Sequence, residues 1–171
     1  MNKAIFWDRD GVLNRSIIIN SVPHPPASKY ETKIVPGIRE IMVQLSKRGY
    51  LNIVITNQPD VSKGITTEKK VQEINNYLKE KLPIDDIFTC YHDNKDNCSC
   101  RKPKTGLFMW ACLRYNIDFE NSWMIGDRKK DIQAGKKVKC KTIFIDYNYK
   151  ETKNVNADFV IRDVSGILNI I

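Results

Sequence analysis

The sequence predicts an α/β protein: a three-layer, doubly wound, mostly parallel sheet in one domain over residues 1–171. Two observations carry this. Short apolar runs of strand length alternate with segments whose apolar residues recur at helical spacing, the pattern of a parallel sheet covered on both faces. Polar residues suited to chemistry also stand just beyond several of these runs, at the edge where open α/β sheets bind ligands.

The elements follow in order. Lys3–Trp7 is a short apolar run meeting Asp8, and reads as a buried strand. Ile38, Ile41, Met42 and Leu45 have helical spacing, with Pro36 at the start and Gly49 as a stop. Leu51–Ile55 is a second strand, running into Thr56-Asn57-Gln58. Thr66 or Thr67 can cap a helix whose inner face carries Val71, Ile74, Leu78 and Leu82. A third strand is expected over Ile84–Tyr91, followed by a cysteine-rich loop. Thr105 can cap a helix with Leu107, Phe108, Ala111 and Tyr115 on one side. Ser122–Ile125, Thr142–Ile145 and Phe159–Ile161 complete the strands. Trp7, Trp110 and Trp123 read as core, and Cys112 and Cys140 as packing residues. No stretch is large enough to form a substantial cap domain, and no repeat or flexible linker divides the chain.

Composition narrows the function. The apolar fraction of 42% and charged fraction of 28% are those of a globular protein. No apolar run reaches the roughly 20 residues of a membrane span. The start of the chain lacks the form of a secretory signal, so the cytoplasm is expected. The formal charge of +8 suits anionic partners. Its lysines are scattered, without a basic arm or aromatic–basic alternation, which argues against nucleic acid and for a small phosphorylated metabolite. A monomer or small homo-oligomer is expected.

Asp8-Arg9-Asp10-Gly11-Val12 places two acids two residues apart. In an extended chain both carboxylates would face one site, and Arg9 would face away. A solvated strand-end turn is the alternative for this segment alone. Gly126-Asp127-Arg128-Lys129-Lys130-Asp131 supplies a second acidic site. Clustered carboxylates repel one another and call for a cation, and Mg²⁺ suits carboxylates, water and phosphate. Asp131 would orient that shell or cap the helix that follows. Thr56 offers a hydroxyl to phosphate, and Lys102 or Lys104 a positive charge. The run Arg128–Lys130 either steers an anionic substrate or is a solvated helix start. His24, among prolines, reads as an exposed loop residue.

Cys90, His92, Cys98 and Cys100 supply three thiolates and one imidazole within eleven residues. That is a full tetrahedral set for Zn²⁺ with no open position, hence a structural site at about residues 90–100. A disulfide or free thiols are the alternatives, and a reducing cytosol favours the metal.

Taken together, Asp8-Arg9-Asp10-Gly11-Val12, Thr56-Asn57-Gln58, Arg101-Lys102-Pro103 and Gly126-Asp127-Arg128-x-x-Asp131 resemble the four motifs of the haloacid dehalogenase (HAD) phosphatases, in the family's order. The resemblance implies a Rossmann-like fold and a two-step phosphoryl transfer. Asp8 would be the nucleophile and Asp10 the general acid and base. Mg²⁺ would be held by Asp8, the Asp10 carbonyl and Asp127, while Thr56, Asn57 and Lys102 cradle phosphate. The Cys-x-His…Cys-x-Cys loop running into Arg-Lys-Pro is similar to the branch acting on D-glycero-D-manno-heptose 1,7-bisphosphate or histidinol phosphate, in that order of expectation. By that analogy Arg101 and Arg128 would touch substrate. The stretch Ser16–Lys33 matches neither activity's substrate loop closely. Two other classes stand beside this one: a nucleic-acid end-processing phosphatase, and a non-catalytic phosphate-binding protein that would be expected to have lost an essential acid.

Overall fold

The computed structural model describes residues 1–20, 22–149 and 154–171. Six parallel strands form its central sheet. In chain order these are β1 (Lys3–Trp7), β4 (Tyr50–Asn57), β5 (Asp86–Cys90), β6 (Trp123–Gly126), β7 (Lys141–Ile145) and β8 (Phe159–Ile161), with spatial order β5-β4-β1-β6-β7-β8. A small antiparallel pair, β2 (Ile17–Ile19) and β3 (Val22–His24), stands apart within the stretch that follows β1.

Period-two burial explains why the sheet needs helices on both sides. Ile5 and Trp7 of β1 enter one apolar cluster, together with Val54, Ile125, Ile143 and Ile145. Helices α1 (Ile38–Lys47) and α2 (Glu68–Lys81) cover it with Met42, Leu45, Ile74 and Leu78. Ala4 and Phe6 enter the opposite cluster with Ile53, Ile55 and Met124. There α3 (Gly106–Tyr115) and α4 (Lys129–Lys137) contribute Leu107, Phe108, Ala111 and Ala134. Each fully buried Leu, Ile or Phe stabilises the fold by about 1.5–3 kcal/mol, so neither face can be left bare.

Local signals behave unevenly. Thr67 caps α2, its hydroxyl accepting from the Lys70 amide at 3.3 Å. Thr105 precedes α3 but makes no side-chain cap. Trp7 and Trp123 are buried as expected, but Trp110 is 49% exposed. The helical turn that aims Leu107, Phe108 and Ala111 at the sheet carries position 110 to the outer side. The β2–β3 pair went unpredicted, since a Pro-rich run of three-residue strands has too weak an alternation to read. Among the described residues, no helix is long and apolar enough to cross a membrane.

Strand order positions the site. β5, β4, β1 and β6 are consecutive neighbours, all parallel. The loops at their C-terminal ends therefore gather at one edge, although they are far apart in sequence.

Candidate active site

Asp8, Asp127 and Asp131 come together at this edge, with carboxylate oxygens within 4.8 Å of one another. Asp127 and Asp131 are fully buried, and Asp8 is 8% exposed. Gly11 makes room for them. Its φ is +94°, and a Cβ there would be driven into the Asp127 carboxylate, so any side chain would be excluded twice over.

Lys102 is the ammonium at the centre of the cluster. Its Nζ donates to Asp8 Oδ1 and to the Ile55 carbonyl, both at 2.7 Å, and forms an ion pair with Asp131 Oδ1 at 2.8 Å. Asn57 fixes the backbone of that residue: its Nδ2 donates to the Lys102 carbonyl at 3.1 Å, and its Oδ1 accepts from the Lys102 amide at 3.0 Å. Asp131 also takes the Arg128 amide on Oδ2 at 3.0 Å, so it both caps α4 and orients Lys102.

Three buried carboxylates against one ammonium are poorly compensated. Neither oxygen of Asp127 accepts a hydrogen bond from a described residue, and the Arg128 guanidinium is 3.8 Å away. Burial first, then repulsion from Asp8 and Asp131, pushes the Asp127 carboxyl well above the usual range. Burial and Asp131 likewise raise Asp8 to about 6. Burial works against the charge on Lys102, but Asp131 and Asp8 outweigh it and raise its pKa. Hard oxygen donors at close range, two of them without donors of their own, fit a divalent cation such as Mg²⁺.

This arrangement predicts a pH-dependent gain from the metal. Without a cation, the unfolded chain ionises Asp8 near 3.8 while the folded chain keeps the proton to about 6. Stability is therefore lost as pH rises through that window, by on the order of 3 kcal/mol for this group alone. Saturating Mg²⁺ should raise Tm by several degrees more at pH 7.5 than at pH 5, read by thermal unfolding of stripped protein. An equal gain at both pH values would refute the cluster as the cation's seat.

Asp10 is placed differently from the sequence expectation. The chain leaves extended geometry after Trp7, and Arg9 does not face away. It is fully buried, and its Nε and Nη2 donate to both Asp10 oxygens at 3.0–3.3 Å. Arg9 Nη1 donates to Asn75 Oδ1 of α2 at 2.9 Å. Asn14 and Gln58 add donors to Asp10 at 3.0 and 2.7 Å. The Asp10 side chain thus lines the catalytic cleft but stays outside the three-carboxylate cluster, where Asp131 takes the third place. Gln58 Nε2 also donates to Thr56 Oγ1 at 2.8 Å, which leaves the Thr56 hydrogen to donate elsewhere. Gln58 stood in the sequence motif without an assigned role. Asn14 and Asn75 carried no signal, because their value lies in a buried network that only packing creates.

The cleft itself has a volume of about 240 Å³. Asp8, Asp10, Thr56, Asn57, Lys102 and Arg128 line it, as does exposed His24. Arg101 does not. Its guanidinium donates to Asn94 Oδ1 and the His92 carbonyl at 2.9 and 3.2 Å, turned toward the cysteine loop. Arg128 Nη2 donates to the Pro23 carbonyl at 3.1 Å, tying β3 to the start of α4. Lys104 is likewise held away, on Asn97 and the Cys98 carbonyl.

Cys90, His92, Cys98 and Cys100 form a second cluster, with ligand atoms within 4.8 Å of one another. Sulfur–sulfur separations are 3.2 and 3.8 Å, and sulfur–Nδ1 separations 3.3 and 3.7 Å. A tetrahedron with Zn–S bonds of about 2.3 Å has edges of about 3.8 Å, so the four donors fit Zn²⁺. None of the five cysteines is in a disulfide.

Known proteins are similar to this chain in sequence and in fold. A family model described as "HAD-hyrolase-like" matches residues 99–167. A D-glycero-beta-D-manno-heptose-1,7-bisphosphate 7-phosphatase of Helicobacter pylori strain J99 is 35% identical over 148 residues, covering 82% of this chain and 80% of the relative. The chain belongs to the HAD phosphatases. A second relative of this HAD phosphatase, the enzyme of the same name from Pasteurella multocida strain Pm70, is 30% identical and covers 100% of the chain and 97% of the relative. The fold matches a crystal structure of D,D-heptose 1,7-bisphosphate phosphatase from B. bronchiseptica complexed with magnesium and phosphate, at a TM-score of 0.82. The two are 24% identical, and the match covers 98% of this chain and 96% of that one.

Proposed function

We propose that this HAD phosphatase removes the 7-phosphate from D-glycero-D-manno-heptose 1,7-bisphosphate through an aspartyl-phosphate on Asp8. The observation that carries the chemistry is the ion pair between Asp8 and Lys102, 2.7 Å long, beside Asp127, whose two oxygens have no donor. The substrate rests on relatives of that name aligned over four fifths or more of both chains.

Asp8 attacks phosphorus in line, and the P–O bond to the sugar breaks. Asp10 delivers the proton that the departing alkoxide needs, then takes one from the water that cleaves the aspartyl-phosphate. Arg9, Asn14 and Gln58 hold the Asp10 carboxylate in place for both transfers. Thr56 donates its free hydrogen to a phosphoryl oxygen. Lys102 meets the charge growing on the transferring group, and Asn57 keeps it there. Asp8, Asp127 and the Asp10 carbonyl would hold Mg²⁺, which supplies Lewis-acid charge when bound. Asp131 positions Lys102 from behind.

Cys90, His92, Cys98 and Cys100 would hold Zn²⁺ as a closed structural site. Its role is mechanical, since Cys100 is two residues from Lys102. Unpaired thiols persist best in a reducing compartment, which supports the cytoplasm as the working location.

The test is phosphate release from both anomers of the heptose bisphosphate with Mg²⁺, beside histidinol phosphate. One equivalent of phosphate should appear, leaving a heptose 1-phosphate, with kcat/KM roughly 10²-fold above that for histidinol phosphate. Equal or better turnover of histidinol phosphate would overturn the substrate.

A further inference from the structure

Arg128 stands at the N-cap of helix α4 and Lys129 and Lys130 open it, three cations where the helix end already carries partial positive charge. Each such placement costs about 0.3–1 kcal/mol. Arg128 has its own occupation, bonding the Pro23 carbonyl and lying over the Tyr149 ring at 5.4 Å. Lys129 is exposed, and water screens it. Lys130 has no such occupation and is less open to solvent than Lys129. It is part-buried and lines the catalytic cleft, and among the described residues it forms no ion pair or side-chain hydrogen bond. Burial lowers its pKa, and the nearby Lys102 adds to this against the pull of Asp131. A part-buried cation at the wrong end of a helix, offset only by the pull of Asp131 and Asp8 without a direct ion pair among the described residues, breaks a local rule, the usual mark of a site shaped for something else.

The cleft needs such a cation. Lys102 is committed to Asp8 and Asp131, and Arg101 is turned to the cysteine loop. Lys63 also lines the cleft, from the loop after β4, 3.3 Å from Asp60 Oδ1. Because β4 and β6 flank β1, Lys63 and Lys130 come from opposite sides of Asp8.

We propose that Lys130, assisted by Lys63, binds a second anionic group of the substrate and makes this site select bisphosphorylated over monophosphorylated molecules. This deepens the functional reading above and rests on it for the identity of the sugar, but the chemistry requires only two phosphoryl groups on one small molecule. The distal phosphate would satisfy Lys130, and a monophosphate would leave it unpaired.

The test measures competition against 4-nitrophenyl phosphate hydrolysis with Mg²⁺, using fructose 1,6-bisphosphate and fructose 6-phosphate as probes. In the wild-type protein the bisphosphate should compete at least about tenfold better, the worth of one charge-assisted contact. In Lys130→Met that ratio should fall to near one. Lys129→Met removes the same charge from the exposed neighbour and should leave the ratio as it was. A wild-type ratio near one, an unchanged ratio in Lys130→Met, or an equal fall in Lys129→Met would each overturn the proposal. The ratio needs no heptose substrate, so failure on the heptose bisphosphate would sink the substrate reading and leave this one to be decided separately.

Discussion

Asp8→Asn is expected to lower phosphate release by about 10⁴-fold or more, while the variant folds and binds as much zinc as the wild type. The amide has the size of the carboxylate but cannot attack phosphorus, and the other two acids of the cluster cannot take over. Asp127 and Asp131 sit in the same cluster but are fully buried, and Asp131 is tied to Lys102 and the Arg128 amide. Stability should move the other way. The Asp8 carboxyl is raised to about 6 by burial and by Asp131, so its charge is unfavourable at neutral pH when no cation is bound. Removing that charge should make stripped protein more resistant to heat at pH 7.5. Wild-type turnover by a variant of verified mass would rule Asp8 out as nucleophile.

Lys102→Met should damage both stability and catalysis. The side chain is 1% exposed, and Asp8 and Asp131 both depend on it. Removing one partner of a buried ionic group typically costs about 3–5 kcal/mol, because the charges left behind are uncompensated. Loss of preorganised charge at the phosphoryl group should cost a further factor of about 10²–10³ in kcat. The two effects separate in a double variant. Lys102→Met with Asp131→Asn removes the orphaned charge, so urea unfolding should show part of the stability restored, with turnover still low. If Lys102→Met unfolds at the wild-type urea concentration, the ammonium is not what holds the carboxylates together.

The layered fold was legible because burial on two faces writes itself directly into the strands. Ile5 and Trp7 point one way and Ala4 and Phe6 the other, so an unbroken apolar run means a covered sheet. The clustering of Cys90, His92, Cys98 and Cys100 was legible for a similar reason: all four lie within eleven residues, so local spacing alone keeps their side chains close. Arg9 was not. A rule for extended strands sent it away from Asp10, but the chain turns after Trp7, and a buried guanidinium must find acceptors wherever the fold has placed them. Asp10 and Asn75 are those acceptors, the second on a helix 66 positions away.

The same division runs through the whole site. Residue types and their order along the chain determined that acids, a hydroxyl and a lysine would stand at strand ends, and that soft ligands would gather in one loop. Those are properties of short segments, where backbone period and side-chain chemistry act within a few residues. Only the tertiary structure decided that Asp131 completes the carboxylate cluster, that Arg101 turns outward, and that Lys130 faces the cleft without a partner among the described residues. Such outcomes depend on competition for burial and hydrogen bonds among groups brought together by strand order, and no local pattern encodes the winner.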